Sequence, residues 1–398
     1  MPIIQSIATA VPPHAISQDE IRDAALHHFS RGRRDMRRLI PIFNNVKVRQ
    51  RHLCVPLEWY EREHVFSETN AEYIRWARKL SRQAVCECLK GAGAQPSDVD
   101  HLIFVSTSGL STPSIDAHLI NELGFSSGIR RTPVFGLGCA GGAAGLSRQR
   151  DLCRVPGQEC VLLVTVELCS LTFQFRDFSK ANLVASSLFS DGAAAVLMTR
   201  GDFSANGAPS SPTPSGRALQ AGTASSQERP APQDAPARRD SSSPCQTGRQ
   251  EARVRARVLA SCSTIFPDTM DVMGWDFSEN GLGVIFSRRI PQLIGRHIRE
   301  NITTFLKGQG LGLEDISHFL VHPGGAKILQ VLAQVLELSP QRLKDSRWVL
   351  ENYGNMSSPT LIFIIDRFQR LSPPSRGEYG LAAAFGPGFS SELLLLQW

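Results

Sequence analysis

A chain of 398 residues exceeds what one hydrophobic core usually supports, which predicts two core-forming units or one large layered domain. The composition is ordinary for a globular protein, and much of the basic excess behind the formal charge of +6 sits in RGRRDMRR at 31–38 and RQEARVRARV at 249–258, a local field rather than a nucleic-acid-binding coat. The start MPIIQSIATAVPPHAIS lacks the basic opening and apolar core of a signal peptide, and no apolar run approaches the roughly 20 residues of a membrane span, so a cytoplasmic protein is expected.

In chain order, the apolar periodicities predict a helix over 70–90, a strand over 101–106 and a helix over 113–123. A short strand over 133–136, a helix over 140–154 and strands over 160–166 and 192–199 complete the first half. From about 206 to 250 Pro, Ser, Ala, Gly and Gln dominate, too few apolar residues to offset the entropy of ordering, so residues 203–252 are expected to be a low-complexity disordered insertion. It separates an N-terminal half, 1–202, from a C-terminal half, 253–398. The second half is predicted to hold a strand over 257–266, a helix over 288–307, a strand over 318–322, a helix over 325–337, a helix from about Pro359 to Arg370 and the strands GLAAAFG and SELLLLQ. Buried strands such as CVLLVTV are continuous apolar runs, as expected where helices cover both faces of a sheet, and the hairpin-like ending adds antiparallel pairs, making the sheets mixed.

The halves echo each other. SDVDHLIFVSTSG at 97–109 and EDISHFLVHPGG at 314–325 share an acidic residue, a His, a four-residue apolar strand and a Gly-containing turn, which predicts an internally duplicated α/β architecture. Nine cysteines at irregular spacings, most in apolar stretches, fit reduced thiols, and neither Cys86 nor Cys88 has His neighbours at zinc spacing, so neither a metal nor a cofactor is expected.

Three positions suit chemistry. Cys139, in FGLGCAGGAAGLS, is predicted at a helix N-terminus, where unpaired N–H groups and the dipole lower a thiol pKa; a small packed core residue is the lesser local alternative. His322 precedes Pro323-Gly324-Gly325 and is held extended at a strand end, a position as compatible with structure as with function. Asn355 lies in the tight loop before a helix started by Ser357 or Ser358 with Pro359, where an ordinary turn Asn would also fit. A Cys nucleophile, a proton-carrying His and an amide donor together form a set for acyl transfer, which papain-like proteases also use.

Six ordered motifs specify more: GCAGG around Cys139, VELCSLTFQ at 166–174, LFSDGAAAV at 188–196, HPGG at 322–325, YGNMSS at 353–358 and FGPGFSSE at 385–392. In these the chain resembles the type III polyketide synthases, the chalcone synthase relatives, over nearly its whole length outside the insertion. The resemblance implies a duplicated thiolase-like αβαβα fold, a homodimer, and decarboxylative condensation of malonyl-CoA onto an acyl starter delivered by CoA or a carrier protein. It implies Cys139 as the acyl-accepting nucleophile paired with His322, and His322 with Asn355 as the donors to the thioester carbonyl. It implies Phe189 as a gatekeeping aromatic, Cys169, Thr172, Trp275, Val284 and Ser357 as cavity residues, and Arg38 and Lys327 near the CoA entrance. Val284 stands where plant enzymes carry a second gatekeeping Phe, Cys169 where they carry Thr, and Trp275 where they carry Gly. With ELCSLTFQ and MGWDFSENGLG the chain is most similar to microbial alkylresorcinol and alkylpyrone synthases, implying a long-chain fatty acyl starter. Alternatives are a single condensation of the ketoacyl-ACP synthase III kind and a non-catalytic acyl-binding homologue.

Overall fold

A computed structural model describes residues 1–30, 41–201, 255–279 and 281–398. The expected insertion at 203–252 and the candidate CoA residue Arg38 lie outside the described residues. The strands are β1 (Ile3–Ala10), β2 (His14–Ser17), β3 (Gln50–Leu53), β4 (His101–Val105), β5 (Arg130–Val134), β6 (Cys160–Leu168), β7 (Asp191–Thr199), β8 (Arg257–Ile265), β9 (Met273–Ser278), β10 (Gly281–Phe286), β11 (Ile316–Val321), β12 (Tyr379–Gly386) and β13 (Ser390–Gln397). The helices are α1 (Gln18–Phe29), α2 (Pro41–Asn45), α3 (Phe66–Ala92), α4 (Ile115–Leu123), α5 (Gly141–Leu152), α6 (Lys180–Leu188), α7 (Ile290–Lys307), α8 (Ala326–Val335), α9 (Lys344–Tyr353) and α10 (Ser358–Leu371).

Nine strands form one mixed sheet in the order β11-β12-β13-β8-β1-β7-β6-β4-β5. The duplication is visible in its pairing. Parallel β4–β6, antiparallel β6–β7 and antiparallel β7–β1 in the first half repeat as parallel β11–β12, antiparallel β12–β13 and antiparallel β13–β8 in the second. The echoing stretches thus supply the equivalent strands β4 and β11. The halves are stitched where β1 meets β8 at Ile3 and Arg257.

Helices cover both faces. α3 packs on β1, β6 and β7 over one outer core that includes Trp76, Leu80 and Leu162. α5 and α10 lie between the halves, in a central core with Leu146, Leu361 and Ile364. α7 and α8 close the other outer layer with Ile294, Ile298 and Leu332. That is an αβαβα stack. α10 has almost no polar face among Leu361–Ile365, all buried, because it has strands on both sides.

One element differs in register from its sequence expectation. β5 runs over Arg130–Val134 rather than 133–136, with Pro133 opposite Phe104; β5 is an edge strand, where a missing N–H breaks no ladder.

Candidate active site

The turn that carries Cys139 is built by close approach. Gly138 takes a φ of +47°, a left-handed turn that a side chain would strain, and a 3₁₀ turn over Gly138–Ala140 then feeds α5. One turn further, a Cβ on Gly142 would lie 2.3 Å from the Ser358 carbonyl oxygen, so the missing side chain lets α5 and the start of α10 touch backbone to backbone. This contact brings the nucleophile candidate of the first half against the Asn355 loop of the second.

Asn355 is fully buried and bonded on both sides to the end of α6: its N–H donates to Leu188 O at 2.9 Å and its carbonyl accepts from Ser190 N at 2.9 Å, a bridge beside Phe189. Its Oδ1 accepts from Ser357 N–H at 2.8 Å, while Nδ2 makes a long 3.4 Å bond to Gly324 O. Cys139 Sγ lies 4.0 Å from Asn355 Oδ1. Ser357 holds the rare φ of +57° for a non-glycine residue, backbone strain of the kind that fixed sites retain.

His322 is 1% exposed, continues the β11 ladder by donating its N–H to Ala383 O at 2.8 Å, and has no hydrogen-bond partner at either ring nitrogen among the described residues. Burial alone lowers its pKa to about 3, so the imidazole is neutral near pH 7. The expected pairing of a Cys139 thiolate with His322 is absent from this arrangement. The expected lowering of the thiol pKa is also reversed: burial pushes Cys139 up to about 11, and the contacts from Ser357 and Asn355 only partly oppose it. Desolvation of a charge outweighs one helix end. Burial thus disfavours both the thiolate and the imidazolium in this arrangement.

Beneath the thiol lies a residue that motif reading passed over. Glu167 is 1% exposed; it accepts from Thr107 N–H at 3.0 Å and from Ser358 Oγ at 3.0 Å. Thr107 Oγ1 in turn accepts from Gly138 N–H at 3.2 Å. One carboxylate thus ties the end of β4, the Cys139 turn and α10 together, and burial raises its pKa to about 7. A charged residue inside the otherwise apolar run CVLLVTVEL was the available signal.

A cavity of about 500 Å³ is lined by Cys169, Thr172, Phe189 and Val284 and runs outward between α1, the 57–61 turn and α6. Three of the five expected cavity residues thus line it together with the gatekeeping Phe189, whereas Ser357, Cys139, His322 and Asn355 are not among its lining residues. Thr172 Oγ1 is bonded to Cys169 O at 2.8 Å, and Phe189 meets Phe286 edge-on. Trp275 is paired across the β9–β10 hairpin with Val284 but is not in that wall. Lys327 is exposed on the first turn of α8, just beyond the HPGG turn. The described residues contain no cluster of His, Cys, Asp and Glu able to hold a metal and no helix long and apolar enough to cross a membrane, and no disulfide joins any of the eight described cysteines.

Comparison with known proteins agrees with this arrangement. The family model for chalcone and stilbene synthases, N-terminal domain, matches residues 2–202, and that for the C-terminal domain matches residues 257–398. The chain is 38% identical to a putative chalcone synthase of Bacillus subtilis, covering 100% of this chain and 99% of the relative. It is 33% identical to a 1,3,6,8-tetrahydroxynaphthalene synthase of Streptomyces peucetius over 99% of this chain and 93% of the relative. The solved 1,3,6,8-tetrahydroxynaphthalene synthase of Streptomyces coelicolor, a bacterial type III polyketide synthase, superimposes with a TM-score of 0.82 at 26% identity, covering 100% of this chain and 99% of that one. The chain belongs to the chalcone and stilbene synthase family and is a type III polyketide synthase, an acyltransferase-type condensing enzyme built on the duplicated thiolase-like fold.

Proposed function

We propose that the enzyme loads a long-chain fatty acyl thioester onto Cys139, extends it with two or three malonyl-CoA units and closes the product to an alkylresorcinol or alkylpyrone, working as a homodimer. The Cys139 sulfur, deprotonated by His322, attacks the starter carbonyl; the new S–C bond replaces the bond to CoA, which leaves as its thiol with that proton. Malonyl-CoA then breaks its C–C bond to release CO2, and the electron pair becomes an enolate whose oxygen takes hydrogen bonds from the His322 ring and Asn355 Nδ2. The enolate carbon attacks the Cys139 thioester, expelling the thiolate and leaving a chain two carbons longer on CoA. Ser357 N–H holds Asn355 Oδ1, so the amide presents Nδ2 to the substrate with its orientation already set. Lys327 and Arg38 are assigned to the CoA phosphates.

The observation that carries the long-chain reading is the cavity of about 500 Å³ whose wall includes Cys169, Phe189 and Val284, since a Phe in place of Val284 would fill part of it. A second reading rests on the 33% identity to a tetrahydroxynaphthalene synthase: a fused aromatic product without a fatty tail. Mass analysis of products from a panel of acyl-CoA starters with labelled malonyl-CoA separates them. Ring products that carry the starter's alkyl tail support the proposal. A product with all carbons from malonyl-CoA, or a one-step product with no ring, overturns it.

A further inference from the structure

A buried cation forms part of the same cavity wall and has no role in the steps above. Arg51, on β3, is 3% exposed and lines the cavity that also touches Cys169 and Phe189. Its Nη1 donates to Phe189 O at 2.7 Å, and its Nε has no partner among the described residues. Its aliphatic part lies against the loop that carries Asn355, since a Cβ on Gly354 would sit 2.9 Å from Arg51 Cγ. A guanidinium offers five N–H donors in a rigid plane, and most of that capacity is unspent here.

The carboxylate whose charge bears on Arg51 is Asp191, and it is committed elsewhere. Asp191 accepts from Cys54 N–H at 2.8 Å, Ser170 N–H at 2.8 Å and Ser170 Oγ at 2.6 Å, and no ion pair joins it to Arg51 among the described residues. Burial lowers the Arg51 pKa to about 10, which leaves the group protonated near neutrality. A buried charge without a direct counter-ion is costly unless something transient completes its shell. The wall position supplies room for that partner, and the reaction generates one: each condensation adds a carbonyl two carbons from the last, and a β-dicarbonyl presents two oxygens on one edge, as a neutral pair or as an enolate. Two such oxygens match a planar fork as a carboxylate does.

We infer that Arg51 is a binding residue for the growing β-polyketone, holding a β-dicarbonyl segment against the cavity wall beside Phe189 while the chain is extended and folded. This rests on the condensing reading, because a β-polyketone arises only from repeated condensation. It is independent of how long the starter's tail is.

Calorimetric titration of the whole enzyme with two unreactive probes of equal length, tridecane-2,4-dione and tridecan-2-one, tests it. The dione is expected to bind about tenfold or more tightly than the monoketone, the gain typical of hydrogen bonds to a charged group. In Arg51→Gln that preference is expected to fall to about one. Equal binding of the two probes by the native enzyme overturns the inference without any variant, and so does a preference that survives Arg51→Gln. Shorter homologues of both probes report on the tail: loss of any length dependence contradicts the long-chain proposal but leaves the dione-to-monoketone ratio as the measure of Arg51.

Discussion

Replacing Gly142 with Ala perturbs a backbone contact between the two halves one turn from the nucleophile. The new Cβ would lie 2.3 Å from Ser358 O and 3.8 Å from Leu361 Cβ, so to regain an ordinary contact of about 3.5 Å the backbones of α5 and α10 must separate by roughly 1 Å. Neither neighbour is a flexible side-chain end, and both helices are locked in the central core, so relief comes from moving the Cys139 turn relative to the Asn355 loop. Overpacking of this kind costs about 1–3 kcal/mol, a drop of a few degrees in Tm for a chain of this size. A displacement of about 1 Å between reacting groups costs on the order of 10²-fold in rate. Gly145→Ala is the comparison: there the Cβ would meet Leu163 Cδ1 at 2.6 Å and Cδ2 at 3.0 Å, side-chain atoms rather than backbone, so relief does not require the two halves to part. Thermal denaturation and kcat/KM for both variants give the comparison. Gly142→Ala should lose activity far beyond its stability loss, and Gly145→Ala should lose both modestly. Wild-type kcat/KM in a folded Gly142→Ala enzyme would refute the claim that this contact sets the site's geometry.

Other expectations follow from the same geometry. Glu167 has a folded-state pKa of about 7, above its unfolded value near 4.5, so the native state holds more protons between those values and stability falls as pH rises through that window. Glu167→Gln should remove this slope, its Tm gaining on the native enzyme from about pH 4.5 to 7 by up to the equivalent of about 3 kcal/mol, measured by denaturation across pH. A parallel pair of curves would contradict it. Asn355→Ala and His322→Ala should each slow CO2 release from malonyl-CoA by about 10²–10³-fold, whereas Cys139→Ala should release CO2 yet form no condensed product; headspace CO2 assays read both. Val284→Phe should narrow the cavity and move starter preference to shorter acyl-CoA, read from competition between two starters; an unchanged preference would place the tail elsewhere.

Much of this protein was legible in sequence because its signals are local. Continuous apolar runs marked β6, β7, β12 and β13, and the repeated His-plus-apolar strand marked β4 and β11 as equivalents. What escaped depends on distant partners. β1 is interrupted by Gln5, Ser6 and Thr9, and becomes a strand because β7 and β8, from either side of the 203–252 stretch, pair with it. α1 has a legible start, the Ser17–Glu20 capping box, but a polar overall composition that gives little periodicity. The hairpin of β9 and β10 separates Trp275 from the cavity wall while leaving Val284 in it, a distinction that motif position does not carry. At the site, the motifs grouped Cys139, His322 and Asn355, yet the protonation states depend on burial. Two halves closing over Cys139 and His322 remove the water that would favour charge, so the pKa directions oppose those expected from a helix end and an ion pair. Glu167 and Arg51 were missed for a related reason: each is defined by being buried without a counter-ion, which only the packed molecule reveals.

The most direct test of the account is to mix the enzyme with a long-chain fatty acyl-CoA in the absence of malonyl-CoA and map the adduct by peptide mass spectrometry. One acyl group per chain, on the peptide containing Cys139 and released as product when malonyl-CoA is added, is the predicted result. An adduct on Cys169 or any other thiol, or no covalent adduct while product still forms, would contradict it.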